Sequence, residues 1–325
     1  MLRKKRIGIA VFLALAAVLA LIIVIHTNPE ADPSEEIIKK IISCAVIVFS
    51  SVLFAVFYEK LTVLPVELFQ NRHLIWKLAK NDFKKRYAGS YLGGVWALMQ
   101  PVITVGMYYI VFGLIFPDQR QSGEVPFVLF LTAGLVPWFF FSEGLSQGTS
   151  ALLEYNYLVK KVVFKISILP IIKVIAAIFV HAFFVCILLL VASIYGYYPG
   201  IYTIQVIYYS FCLFVFVLAL CYTTCSVVVF FRDLSQIINI ALQIGMWATP
   251  ILWDINALNN SLAVTLLKIN PLVYIVNGYR SAIYESKWFF EDFFSTMYFW
   301  IITVVLFLFG SLVFKRLKPH FADVL

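Results

Sequence analysis

The sequence predicts an all-α protein that crosses a membrane several times, and three observations carry that prediction. Of 325 residues, 62% are apolar and 13% charged, and the mean hydropathy is +0.94. A soluble domain has about half its residues apolar and about a quarter charged. The excess sits in long uncharged runs, and about 20 apolar residues in a helix cross a bilayer core of roughly 30 Å. In that core every backbone N–H and C=O must be satisfied within its own segment, which helices do and open sheets do not. The alternating strands of about ten residues that build a transmembrane barrel are absent.

Eight runs are expected to span: residues 7–25, 41–58, 91–116 (interrupted by Pro101), 125–142, 169–195, 203–231, 234–252 and 293–314. The fifth carries Lys173 near its start and His181 inside. Arg3, Lys4, Lys5 and Arg6 precede the first run as in a signal peptide. Yet its uncharged stretch, Ile7 to Ile25, is 19 residues long and no small-residue cleavage site follows. A retained anchor is therefore expected.

The placement of Lys and Arg orients the chain, because cytoplasmic loops keep positive charge. With the N-terminus inside and eight alternating spans, 18 basic residues fall on the inner side and six on the outer, with Lys173 left over. Seven of the 18 lie in 59–90: Lys60, Arg72, Lys77, Lys80, Lys84, Lys85 and Arg86. This asymmetry accounts for the net charge of +8 without nucleic acid as a partner. The five cysteines lie in apolar runs. Cys221 and Cys225, one turn apart, are expected to be small packing residues rather than a metal or disulfide pair.

Two further segments have helical character without spanning. Residues 66–87 place Phe69, Trp76, Ala79, Phe83 and Tyr87 near one face, bordered by Lys80 and Arg72. This is the pattern of a basic amphipathic helix in the inner interface, its long side chains reaching the headgroups. In 253–292, the apolar stretch from Leu262 to Val276 is broken by Lys268 and Pro271 and is too short to cross. A re-entrant or interfacial hairpin on the outer face is expected. Asp233, after Arg232, is expected to cap the helix that follows.

What is missing narrows the function. No G-x-x-x-x-G-K-[ST] loop is present to cradle nucleotide phosphates, and no zinc-protease motif or nucleophile constellation appears. The predicted spans contain no Asp or Glu. Ion-coupled transporters place acids near the bilayer midplane, where charge is costly unless it serves the mechanism. No inverted repeat is evident. A transporter of this kind needs energy from a separate subunit.

Residues 74–116, "LIWKLAKNDFKKRYAGSYLGGVWALMQPVITVGMYYIVFGLIF", resemble the opening of type-2 ATP-binding-cassette permeases that export polysaccharides and polyol phosphates. The matching elements are Asp82 to Tyr87, Gly89-Ser90, Leu92-Gly93, Trp96 and Pro101. "LTAGLVPWFFFSEGL" (131–145), "NYLVKKVVF" (156–164), "FFRDLSQIINIALQIGMWATPI" (230–251) and "INPLVYIVNGYRSAIY" (269–284) follow in the family's order. The tail "FKRLKPHFADVL" is similar to that of O-antigen and teichoic acid export permeases. The resemblance covers about 66–325. There are two departures. Residues 1–65 add two helices to the family's six spans, and Lys165-Ile166-Ser167 stand where the family often has Pro-Arg-Glu.

The resemblance implies a six-span exporter permease core (66–325) with an inner amphipathic helix and an outer re-entrant hairpin, behind a two-helix extension (1–65). It implies a transporter subunit, not an enzyme, in a bacterial plasma membrane with both termini cytoplasmic. The expected partners are an ATPase subunit carrying ATP and Mg²⁺, a second copy of this chain, membrane lipid, and a lipid-linked glycan or teichoic-acid-like polymer. No cofactor is expected on this chain. Alternatives are a type-2 permease for a lipid or drug, or a non-transporting scaffold.

Four groups of residues receive roles by this resemblance. In the loop 143–168, Glu154, Tyr155, Asn156, Lys160 and Lys161 would couple to the ATPase; otherwise this is a solvated loop obeying the charge rule. Lys80, Lys84, Lys85 and Arg86 would meet the carrier pyrophosphate; equally, they would anchor the helix to anionic lipid. Tyr108, Tyr109, Trp138 and Phe139 would line the channel, though Trp and Tyr collect at membrane interfaces in any case. Pro250, Asn270, Pro271, Tyr274 and Arg280 would form an outer gate.

Overall fold

A computed structural model describes residues 2–25, 33–86, 89, 91, 93–115, 125–160, 165–255 and 261–325. Tyr87, Ser90, Leu92, Arg120 and Lys161 lie outside the described residues. Every regular element among the described residues is helical. In order they are α1 (Leu2–Ile25), α2 (Pro33–Gln70), α3 (Arg72–Arg86), α4 (Trp96–Tyr108), α5 (Phe127–Glu154), α6 (Asn156–Val159) and α7 (Leu169–Ile194). Then follow α8 (Gln205–Val228), α9 (Leu234–Ala248), α10 (Ser261–Lys268), α11 (Pro271–Arg280), α12 (Phe293–Leu317) and α13 (Phe321–Val324). Two compact units result, Met1–Asn71 and Arg72–Leu325. In the first, α1 packs on α2.

A helix lies over each of the eight predicted runs. Among the described residues, five helical segments are long and apolar enough to cross a membrane: Gly8–Ile25, Phe127–Glu154, Ile166–Ile194, Ile201–Val228 and Phe293–Val324. Two shorter apolar helical segments are Pro101–Val111 and Leu234–Ala248. Pro101 sits inside α4, where its ring removes one intrahelical hydrogen bond, and α4 continues into a wider π-helical turn over Tyr109–Ile115.

The second unit is built around α5. Every residue from Leu129 to Trp138 is buried, so this helix has no lipid or water face over that length. It touches α7, α8, α9 and α11. Close approach to α8 depends on two glycines one turn apart. A Cβ on Gly144 would lie 3.0 Å from Val217, and one on Gly148 would overlap Cys221 Sγ. Small residues at i and i+4 let helices approach without side chains between them. Cys221, fully buried, fills the notch over Gly148 and lies 3.5 Å from the Gly144 carbonyl. The packing role read for Cys221 thus has a named partner. Gly148→Ala is expected to destabilise the fold by about 1–3 kcal/mol through overpacking. Cys221→Ala in the same chain should recover part of that loss, as measured by thermal unfolding of the detergent-solubilised protein.

Four expectations need correction. The helix expected to end at 142 runs to Glu154, because residues 143–154 hold no proline and their two glycines serve packing. The connection expected over 143–168 is therefore shorter, and Glu143 lies within a helix long enough to span. The expected helix 66–87 is divided: 66–70 belong to α2, and α3 begins at Arg72. The buried face of α3 is Ile75, Ala79 and Asp82, whereas Trp76 is 57% exposed. One position of rotation brings a carboxylate inward. Finally, Asp233 stands at the start of α9 but makes no side-chain cap; its backbone carbonyl accepts from Gln236 and Ile237.

Candidate functional site

Two clusters of buried polar side chains sit in the second unit. One joins α3, α5 and α7. Lys173, in the first turns of α7, is only 3% exposed, and its ammonium donates to Asp82 Oδ1 of α3 at 2.7 Å and Glu154 Oε2 of α5 at 2.5 Å. The Tyr155 hydroxyl donates to the same Asp82 oxygen at 2.6 Å. Its ring lies under the ammonium, 5.1 Å from nitrogen to centroid. Burial, and then donation to Asp82, push the Tyr155 phenol well above its usual range, so it remains a hydrogen-bond donor at any physiological pH. Arg86, at the end of α3, pairs with Glu143 of α5 and lies 3.7 Å from Asp82 Oδ2. Phe83 and Trp76 meet Phe179 of α7 edge-on. The amphipathic helix is therefore held by apolar residues along its length and by charge at its C-terminal end.

This arrangement redistributes the residues read from the sequence. Of the residues read as coupling residues, Tyr155 turns inward onto Asp82, while Glu154 reaches Lys173 from the rim with its side chain still exposed. Asn156 and Lys160 are exposed on or beside the single turn α6. Lys80, Lys84 and Lys85 are exposed on α3, but Arg86 is engaged with Glu143 and Asp82. Sequence reasoning missed Asp82, Glu143 and Lys173 as a unit. The available signal was Lys173, the one cation left without a side in the charge count. A charge inside an apolar run needs a partner.

The second cluster joins α11 to the end of α9 and to α8 and α12, and the five residues grouped as an outer gate lie in or beside it. Asn270 caps α11, accepting from Leu272 N–H at 3.1 Å, and donates to Thr249 Oγ1 at 3.0 Å. Pro271 occupies the first position of α11, where its missing N–H costs nothing. The Arg280 guanidinium is 4% exposed. It donates to the carbonyls of Pro250 at 2.8 Å and Ile251 at 3.0 Å and lies 3.6 Å from the Phe130 ring centroid. Tyr274 accepts from Thr296 at 3.0 Å and is 3.3 Å from the Tyr208 hydroxyl. Tyr279 links α11 to the core through His181 Nε2 (3.0 Å) and Ser210 Oγ (2.6 Å). A Cβ on Gly278 would overlap the Tyr209 ring, so only glycine permits this approach.

The four aromatics named as channel residues do not share one wall within the chain. Trp138 is buried against Gly245 of α9 and Phe141. Phe139 instead lines a cleft of about 640 Å³ with Trp96, Thr104, Glu143 and His181. Tyr108 reaches Met246 at 3.7 Å, and Tyr109 is exposed.

The ABC-2 type transporter family matches residues 73–284, well over half of the chain. A Myxococcus xanthus protein named O-antigen export system permease protein RfbA is 29% identical over 258 residues, which is 79% of this chain and 97% of that protein. Two Klebsiella pneumoniae proteins of the same name are 26% and 25% identical over 260 residues, each covering 78% of this chain and 95% of its relative.

Proposed function

Because this chain belongs to the ABC-2 type transporter family, we propose that it is the membrane-spanning permease of an exporter that moves a lipid-linked cell-surface polysaccharide across the bacterial plasma membrane. The family implies an ATP-binding-cassette ATPase partner, which carries ATP and Mg²⁺. The permease relatives point to a transport subunit rather than an enzyme. Three O-antigen export permeases aligned along almost their whole lengths support the polysaccharide. A teichoic-acid-like polymer is the neighbouring substrate class.

The second unit forms the six-span permease core, and the two helices of the first unit are additional spans. The charge asymmetry supports eight spans with both termini inside. Two copies of the chain enclose the path. The exposed Lys80, Lys84 and Lys85 face anionic headgroups, of membrane lipid or of the carrier. Coupling takes a more specific form than a loop seated in an ATPase. Asn156, Lys160 and Glu154 are the exposed contacts, and Glu154 and Tyr155 pass movement to α7 and α3 through Lys173 and Asp82.

The observation that carries this reading is the buried cluster, since a rigid polar joint at one end of three helices transmits a push better than a solvated loop. Depleting the protein should strand lipid-linked glycan on the inner leaflet, and an unchanged surface glycan would remove the substrate assignment. Lys160→Glu, at an exposed position, should preserve folding but uncouple ATP hydrolysis from export in the complex with its ATPase. A scaffold without transport would tolerate that charge reversal.

A further inference from the structure

A cleft of about 990 Å³ opens between the α10–α11 hairpin, the turn Ser281–Glu285 and the start of α12. Its walls combine aromatic rings with carboxylates. Trp288 is braced by Tyr202, with ring centroids 5.0 Å apart, and lies nearly parallel to Phe290. The Tyr298 hydroxyl is fixed by the Ile269 carbonyl at 2.6 Å, and Tyr284 meets Tyr197 edge-on. These rings are held by neighbours before anything binds, which lowers the ordering cost of a ligand.

Four carboxylates line the same cleft: Asp254, Glu285, Glu291 and Asp292. Glu291 accepts from the Trp288 N–H at 2.9 Å and so fixes the turn that carries the indole. Against them stand Lys268, Lys287 and Arg280. The Arg280 guanidinium is spent on the Pro250 and Ile251 carbonyls. The formal balance is net negative even when Arg280 is counted. The opposite character appears on α3, where Lys77, Lys80, Lys84 and Lys85 are all exposed.

We propose that this cleft is a saccharide subsite that accepts neutral or amino-bearing sugar units and rejects a polyol-phosphate chain. The proposal rests on the exporter reading above and narrows its substrate. A sugar unit presents an apolar C–H face, which an aromatic ring covers. It also presents a rim of hydroxyl donors, which carboxylates accept through charge-assisted hydrogen bonds. An amino group adds a cation that the same carboxylates favour. A phosphate at every repeat instead meets like charge from several carboxylates at once. The volume falls within the usual range for small-ligand clefts, about 300–1,000 Å³, and admits a short stretch of chain. Cations on α3 and carboxylates at this cleft thus divide the recognition of an anionic carrier head from that of an uncharged polymer.

The full-length chain in nanodiscs of neutral phospholipid tests this by saturation-transfer NMR and calorimetry. Three probes are compared: a neutral manno-oligosaccharide, a de-acetylated chito-oligosaccharide and a glycerol-phosphate oligomer. The first two should bind, and the third should bind at least about tenfold more weakly. Glu285→Lys with Asp292→Lys, both at exposed positions, should keep the fold and invert that order. Absence of saccharide binding, equal or tighter binding of the glycerol-phosphate oligomer, or an order untouched by the double reversal would each overturn the proposal. Depletion that removes surface glycan while saccharides fail to bind would sink this subsite and leave the exporter standing.

Discussion

Lys173→Met is expected to lower the thermal unfolding midpoint sharply and to stop export. The reason is a contest between desolvation and pairing. Burying an ion costs several kcal/mol, and its partners repay this only when the geometry is good and the remaining polar atoms are satisfied. Here the ammonium has Asp82 at 2.7 Å and Glu154 at 2.5 Å, with the Tyr155 ring beneath it. Methionine keeps most of the volume but leaves the Asp82 carboxylate, 8% exposed, with the Tyr155 hydroxyl and a guanidinium 3.7 Å away. Breaking a buried pair on one side costs about 3–5 kcal/mol. By contrast, the more exposed i,i+4 pair Lys40–Glu36 is worth about 0.3–0.5 kcal/mol. Asp82→Asn in the same chain should recover much of the loss, because replacing both partners removes the stranded charge. ATP hydrolysis by the bound ATPase should persist in that double variant while export stays low, since the neutral joint holds α3 less firmly. A Lys173→Met protein with unchanged stability and export would show that the cluster neither supports nor couples the helices.

The architecture was largely legible because its signal is additive. Each run of some 20 largely uncharged residues is a separate vote for a helix, and a helix lies over every one of them. Boundaries were less legible, because they depend on packing. Residues 143–154 look like a polar loop with Glu143, Ser146 and Gln147. They continue α5 because Gly144 and Gly148 fit against Val217 and Cys221, a fit that requires the neighbour to be known. The amphipathic face of α3 was misplaced for a similar reason. Trp76 outranks Asp82 on any apolar scale, yet Asp82 is the buried one because Lys173 of α7 lies opposite. The cluster around α11 had a more local signal. Asn270-Pro271 is a local start signal with cap and fixed φ, whereas Arg280 was singled out only by the family resemblance and its carbonyl partners not at all.

Arg280→Met should release α11 while leaving the α5–α7–α8 core folded. The guanidinium makes two charge-assisted hydrogen bonds to backbone carbonyls just past the end of α9, where the helix dipole adds favourable potential for a cation. Its planar fork reaches both oxygens at once and stacks on Phe130, which an ammonium cannot reproduce. Methionine leaves the Pro250 and Ile251 carbonyls without this donor, at about 1–3 kcal/mol for each group left unsatisfied. The total rivals the Lys173 loss, but it falls on a short helix held otherwise by Asn270, Tyr274 and Tyr279. Local opening is therefore cheaper than global unfolding. Hydrogen exchange should rise across 250–255 and 271–285 with little change in α5 and α8. Arg280→Lys should restore only part of the protection, because one ammonium replaces a two-pronged donor. If instead Arg280→Met exchanges like the unmodified protein, α11 is held by its tyrosines and the arginine is dispensable. If Lys restores full protection, charge alone suffices and the fork geometry is irrelevant.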